Sequence, residues 1–268
     1  MKTLSENRCF SGVQGVYQHA SDATGTEMTF GLYRPENPTG AVLWYLSGLT
    51  CTHENAMTKA GLQAEAAEAG LTVVFPDTSP RGESVPDHDS YDMGQGAGFY
   101  VDATEAPWAQ HFQMESYITE DLPDAVFSTF DLDPDRQGIT GHSMGGHGAL
   151  TLAMKHTGRW RSVSAFAPIC NPSESDWGTP QLLAYTGEPT DHDATILLRE
   201  NGLDAPLLID TGTEDQFRGK LGTAAFAQAL ATRNAEGTIR LQKGYDHSYF
   251  FVATFAEDHV AFHSEHLS

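Results

Sequence analysis

Gly141-His142-Ser143-Met144-Gly145 is the stretch that decides the fold. It directly follows Gln137 to Thr140, a short run with strand character, and directly precedes Gly145 to His156, a run with helix character. A turn from strand to helix this tight leaves no room for side chains on its flanks. The two glycines are therefore a steric requirement, and the serine between them is exposed above the end of the sheet. In a chain with 26 glycines the letters alone are weak, and the strand before and helix after carry the information. The plain alternative is a glycine-rich helix entry with a surface serine.

Outward from this elbow, short apolar runs alternate with longer helical ones, the pattern of a sheet covered by helices on both faces. Gly12 to Ala20 and Met28 to Tyr33 alternate apolar and polar residues around Ser21-Asp22-Ala23-Thr24-Gly25 and predict an N-terminal antiparallel hairpin. Ala41 to Leu46, Leu71 to Phe75, Gln137 to Thr140, Ser162 to Ala167, Leu207 to Ile209 and Thr238 to Gln242 read as buried, mostly parallel strands. Helices are expected over Thr58 to Ala69, Ser116 to Phe130 with Pro123 near its first turn, Gly145 to His156, Leu221 to Arg233 and Tyr249 to His266. Between Asn171 and Asn201 the pattern weakens into Gly, Pro, Asp and Thr, which predicts a loop or small cap over the sheet rather than a second domain. The expectation is a single α/β-hydrolase domain over residues 1–268, with a mostly parallel central sheet.

A serine hydroxyl needs a base to take its proton and an acid to hold that base in the right tautomer. In this architecture they follow in the order serine, acid, histidine, on loops at the carboxyl ends of strands. Leu207 to Asp210 runs into Thr211-Gly212-Thr213-Glu214-Asp215, so Asp215 is the favoured acid, with Asp210 and Glu214 as alternatives. His247 lies on the loop after the strand ending at Gln242 and is the base. His259, His263 and His266 share one face of the last helix; the stripe reads as a solvated face, with a metal site as the lesser reading, and no metal is expected. The oxyanion formed in acyl transfer needs donors. One is the amide after the nucleophile, on Met144, and the leading second is the Leu49 amide, on the loop after Leu46.

Acidic side chains outnumber basic ones 36 to 15, a net charge of −21, which argues against a nucleic-acid backbone as partner. The N-terminus has no apolar run of signal-peptide length and no stretch approaches a membrane span, so a cytoplasmic protein acting on a small molecule is expected. Cys9, Cys51 and Cys170 suit free thiols better than a disulfide framework. No cofactor is called for. Gly94-Gln95-Gly96-Ala97-Gly98 resembles a phosphate-cradling loop only superficially, because no strand-to-helix junction frames it.

Four longer stretches carry a resemblance: Tyr45 to Thr52 (YLSGLTCT), Gly96 to Val101 (GAGFYV), Gly141 to Leu150 (GHSMGGHGAL) and Gly244 to Phe251 (GYDHSYFF). They are similar to the S-formylglutathione hydrolase (esterase D) family over nearly the whole chain. The resemblance implies hydrolysis of S-formylglutathione to glutathione and formate in formaldehyde detoxification, with side activity on short-chain esters. It agrees with Ser143, Asp215 and His247 as the triad and Leu49 and Met144 as the oxyanion amides, and it suggests a homodimer. The segment from Asn171 to Asn201 departs most from the family. Ser175-Asp176 stands where a Cys-Pro pair usually precedes the tryptophan matching Trp177, the family's Tyr-Leu-Gly appears as Tyr185-Thr186-Gly187, a tryptophan expected soon after is missing, and His192 replaces a usual tyrosine.

Cys51 is a candidate pocket thiol or, more simply, a small buried residue. Phe99, Tyr100 and Trp177 are candidates to shape the pocket, as is Trp108. A general short-chain carboxylesterase and a non-catalytic binding module are the competing functional readings.

Overall fold

Residues 1–268 are described by a computed structural model. Its centre is a nine-stranded sheet built from β1 (Lys2–Arg8), β2 (Gly12–Ser21), β3 (Thr26–Pro35), β4 (Val42–Leu46), β5 (Thr72–Pro76), β6 (Gln137–Gly141), β7 (Ser162–Phe166), β8 (Leu207–Gly212) and β9 (Thr238–Gln242). The spatial order is β1-β2-β3-β5-β4-β6-β7-β8-β9, antiparallel from β1 through β5 and parallel from β5 to the β9 edge. The expected N-terminal hairpin is β2–β3, in register from Gly12 opposite Pro35 to Ser21 opposite Thr26.

β4 to β8 are buried along their whole length, as parallel strands covered on both faces should be. β9 is not. It runs at the sheet edge with only intermediate and exposed residues, which corrects the expectation of a buried strand over Thr238 to Gln242. β1 was not anticipated: every residue of Lys-Thr-Leu-Ser-Glu-Asn-Arg is exposed, so no burial alternation marks this outer edge.

The helices are α1 (His53–Lys59), α2 (Gln63–Ala69), α3 (Met114–Ser116), α4 (Leu122–Phe127), α5 (Met144–Lys155), α6 (Thr179–Thr186), α7 (Ala194–Glu200), α8 (Arg218–Leu221), α9 (Thr223–Arg233) and α10 (Tyr249–Leu267). Three expected helices are broken. The one over Thr58 to Ala69 is two, parted at Gly61 with φ +73°. The one over Leu221 to Arg233 is interrupted at Gly222, whose φ of +70° no helix accommodates. The one over Ser116 to Phe130 starts at Met114 and passes through a π-helical turn, Tyr117–Asp121, before α4. Pro123 thus lies well inside this helical stretch and not in its first turn; the turn widens the helix where the proline's missing amide would have bonded.

Alternation along β7 sorts the layers. Ser162, Ser164 and Phe166 face α10, bonding His263 and stacking on His259, while Ala165 faces Gly146 of α5. The segment between Asn171 and Asn201, expected as a loop or small cap, is largely helical: two short 3-10 turns plus α6 and α7. Buried Asp193 ties it together. Its carboxylate accepts from Thr195 N at 2.8 Å, capping α7, and from Ser173 N and Oγ at 3.0 and 2.7 Å.

Candidate active site

Ser143 sits between β6 and α5 with φ +58° and ψ −117°, a strained backbone for a side-chain-bearing residue. A Cβ on Gly141 would come within 2.3 Å of Gly145 O, and one on Gly145 within 2.0 Å of Leu46 O. Both flanks of the elbow are therefore closed to any other residue. The strain is held by backbone bonds: Ser143 N donates to Phe166 O at 2.9 Å, and His147 N donates to Ser143 O at 3.0 Å.

β4 and β6 are neighbours, with Leu46 opposite Gly141, so the loop after β4 lies beside the elbow. The amides of Leu49 and Met144 donate no hydrogen bond within the chain, whereas those of Thr50 and Cys51 are spent on Gly96 O and Gly48 O. The loop is braced from beneath. Tyr100 Oη donates to Ser47 O at 2.8 Å, and Thr78 Oγ1 and Arg81 Nη2 donate to Cys51 O at 2.5 and 2.9 Å. The Gly94–Gly98 run also braces it: a Cβ on Gly96 would meet Thr50 Cα at 3.2 Å, so the glycine there serves close backbone approach.

Asp215 lies on the loop after β8 and His247 on the loop after β9. Their side chains meet, His247 Nδ1 donating to Asp215 Oδ2 at 2.6 Å, while Asp215 Oδ1 accepts from Phe217 N at 2.7 Å. A carboxylate can only accept, so the proton sits on Nδ1 and Nε2 is left as an acceptor. The two alternative acids are elsewhere. Asp210 is buried on the opposite side of β8, bound to Arg240 Nε at 2.7 Å, Gln242 Nε2 at 3.0 Å and His259 Nε2 at 3.2 Å. Glu214 is exposed and reaches only Thr213 Oγ1 at 3.4 Å.

Ser143 and His247 line one cavity of about 190 Å³ together with Leu49, Cys51, Trp177 and Tyr249. No hydrogen bond joins Ser143 Oγ to His247; in unliganded sites this bond is commonly long and tightens with substrate. His142, in the elbow, is ring to ring 4.6 Å from His247. Burial first, and the neighbouring His247 second, push its imidazole well below the ordinary range, so it stays neutral beside His247. Trp177 from the cap segment packs at a tilt, 4.3 Å between ring centres, on Phe217, which stands edge-on to His247 at 5.1 Å. Trp177 Nε1 donates to Tyr91 Oη at 3.1 Å, and Lys220 Nζ lies 5.5 Å from the Trp177 ring. Cys51 Sγ is 3.9 Å from Tyr249 Oη, and burial raises the thiol's pKa, disfavouring the reactive thiolate.

Two expected pocket residues are not in the cavity wall. Phe99 is buried against His147 and Tyr100 beneath Ser47, so both support the site from behind. Trp108 packs on Phe112 and Tyr185, away from the cavity. Tyr91, His142, Phe217 and Tyr249 line it and were not singled out as pocket residues. Phe217 and Tyr249 adjoin the loops that carry Asp215 and His247, but nothing in the sequence around Tyr91 signals its place.

The histidine stripe of α10 is not a solvated face. His259 and His263 are wholly buried, and both ring nitrogens of each are taken up. His263 bonds Ser162 and Ser164 at 2.7 and 2.8 Å, and His259 bonds Ser164 and Asp210 at 2.8 and 3.2 Å. The two serines of β7 turn the stripe into a buried hydrogen-bond network.

The model of the family described as putative esterase matches residues 21–262. An S-formylglutathione hydrolase of Paracoccus denitrificans (strain Pd 1222) is 61% identical over 273 residues, covering 99% of this chain and 98% of that protein. One from Mus musculus is 46% identical over 279 residues, covering 100% and 99%. A solved S-formylglutathione hydrolase structure from Agrobacterium tumefaciens superposes with a TM-score of 0.97 at 46% identity, each chain covered in full.

Proposed function

Because the chain belongs to the S-formylglutathione hydrolase family, we propose that it hydrolyses S-formylglutathione to glutathione and formate, with Ser143, His247 and Asp215 as its catalytic triad. Short-chain esters are side substrates. The observation that carries the reading is the pairing of His247 Nδ1 with Asp215 at 2.6 Å, with His247 on the wall of a cavity that Ser143 and Leu49, whose amide is unspent, also line.

Ser143 Oγ attacks the thioester carbonyl carbon as His247 Nε2 takes the hydroxyl proton. The charge that develops on the carbonyl oxygen falls to the Leu49 and Met144 amides. The C–S bond then breaks, His247 returns the proton to the departing sulfur, and glutathione leaves a formyl ester on Ser143. Water, losing a proton to His247, attacks that ester; formate departs and Ser143 recovers its hydrogen. Asp215 remains ionised throughout and stabilises the imidazolium.

The thiol half of the substrate carries two carboxylates, and exposed Lys220 sets a cation 5.5 Å from the ring of Trp177, a residue of the cavity wall, in a strongly acidic chain. Lys220→Gln is expected to raise KM for S-formylglutathione about two- to fivefold, the range of an exposed ion pair, with kcat little changed. Steady-state kinetics on this substrate and on uncharged phenyl acetate check it. An equal rise in KM for phenyl acetate would remove Lys220 from recognition of the thiol half.

A further inference from the structure

A second cavity, about 440 Å³, opens behind the loop that carries Asp215. It lies between the β8–β9 face and the start of α9, lined by Thr211, Arg218, Thr223, Ala227, Ile239 and Leu241 among others. Strand alternation fixes which side chains point into it. Asp210 and Arg240 face His259 of α10, so Thr211 and its cross-strand partner Leu241 face the other way, toward α9. Phe217 lines the catalytic cavity and the next residue, Arg218, lines this one.

The polar side chains that line this space are those of Thr211, Arg218 and Thr223. Thr211 is wholly buried and its Oγ1 has no partner, and Thr223 Oγ1 is likewise buried and unpartnered. The first three amides of α9, on Thr223, Ala224 and Ala225, donate no bond within the chain, and Gly222 offers no capping side chain. The positive end of an eleven-residue helix dipole therefore points at this opening. Arg218 takes part in none of the chain's ion pairs, although acidic residues outnumber basic ones 36 to 15, and no acidic side chain lines the cavity. The remaining wall is apolar: Ala224, Ala227, Ile239 and Leu241.

We propose that this cavity binds a small carboxylate with a short apolar chain, its head held by Arg218, Thr211 and the α9 amides and its chain laid against Ile239 and Leu241. A buried unpaired hydroxyl, free helix amides and a lone guanidinium all ask for an anion. The aliphatic wall asks for a few methylenes rather than a bare inorganic ion.

The test is a titration of the ¹⁵N-labelled full chain with hexanoate, followed by ¹H–¹⁵N NMR. Saturable shifts are expected at the amides of Thr223, Ala224 and Ala225. Arg218→Gln, a change to an exposed side chain, should weaken the binding about tenfold or more, the scale of a lost charge-assisted bond. The near-isosteric Thr211→Val should weaken it too, while hexanol and inorganic phosphate should each bind more weakly than hexanoate. Shifts confined to Leu49 and Met144, an unchanged affinity in Arg218→Gln, or equal binding of hexanol or phosphate would each overturn the proposal. If Thr211→Val does not fold, Arg218→Gln and the two control ligands still decide it.

Discussion

Ser143→Ala is expected to lower kcat for S-formylglutathione about 10⁴- to 10⁶-fold, with stability changed by less than about 1 kcal/mol. The substitution removes one oxygen that forms no hydrogen bond within the chain. It keeps a Cβ, so the left-handed elbow at φ +58° is strained to the same degree in both proteins. Without the hydroxyl, water must attack the thioester directly. The Leu49 and Met144 amides are backbone and survive the change, so a residue of catalysis over solution should persist. Steady-state kinetics and thermal unfolding of the variant measure both halves. A variant retaining more than about one part in a hundred of the turnover would place the nucleophile elsewhere.

Asp215→Asn should cost about 10³- to 10⁴-fold in kcat. An amide at this position can offer its NH₂ to His247 Nδ1, which moves the ring proton to Nε2 and leaves no acceptor for the Ser143 proton. The comparison that gives this result its force is Asp210→Asn. Asp210 is wholly buried, bound to Arg240, Gln242 and His259, and held at a pKa of about 2, where burial, which would raise it, is outweighed by its hydrogen bonds to His259 and Arg240. Removing its charge leaves a buried amide against half-buried Arg240, which keeps its pairing with Asp258, and should cost about 1–3 kcal/mol of stability. Its effect on kcat should be under about tenfold, because none of its bonds reaches His247. Urea unfolding and kinetics on the two variants separate the roles, and the reverse pattern would make Asp210 the orienting acid.

What can be read from the residues follows from how locally each feature is determined. The elbow is legible because Gly141 and Gly145 answer clashes within a few residues of themselves. The strands β2 to β8 are legible because burial writes itself as alternation or as short apolar runs. β1 escapes such a reading because a strand exposed along its whole length has no burial pattern to display. The break between α1 and α2 turns on the left-handed backbone of Gly61, and one glycine inside a helical period does not announce which conformation it takes.

Side-chain partners across the sheet are harder. The α10 histidines read as a polar face because the groups that satisfy them, Ser162 and Ser164 on β7 and Asp210 on β8, lie 49 to 101 residues away in the chain. Phe99 and Tyr100 sit in a motif shared with the family yet face away from the cavity, since their positive φ values turn the chain there and composition cannot reveal that. Tyr91 reaches the cavity only through Trp177 Nε1, across 86 residues. The helical cap was obscured for a compositional reason: Gly178, Pro180, Gly187 and Pro189 bracket helices of seven or eight residues, too short to show a period.

The relatives' activity and the geometry of the site meet in one quantity, the preference for a thioester of glutathione over a simple ester. Measuring kcat/KM for S-formylglutathione and for phenyl acetate on the same preparation gives it directly. The account predicts an excess of about 100-fold or more for S-formylglutathione, the contribution of some 3 kcal/mol of binding energy from the thiol half realised in the transition state. Equal values, or a preference for phenyl acetate, would contradict it and leave a general short-chain esterase in its place.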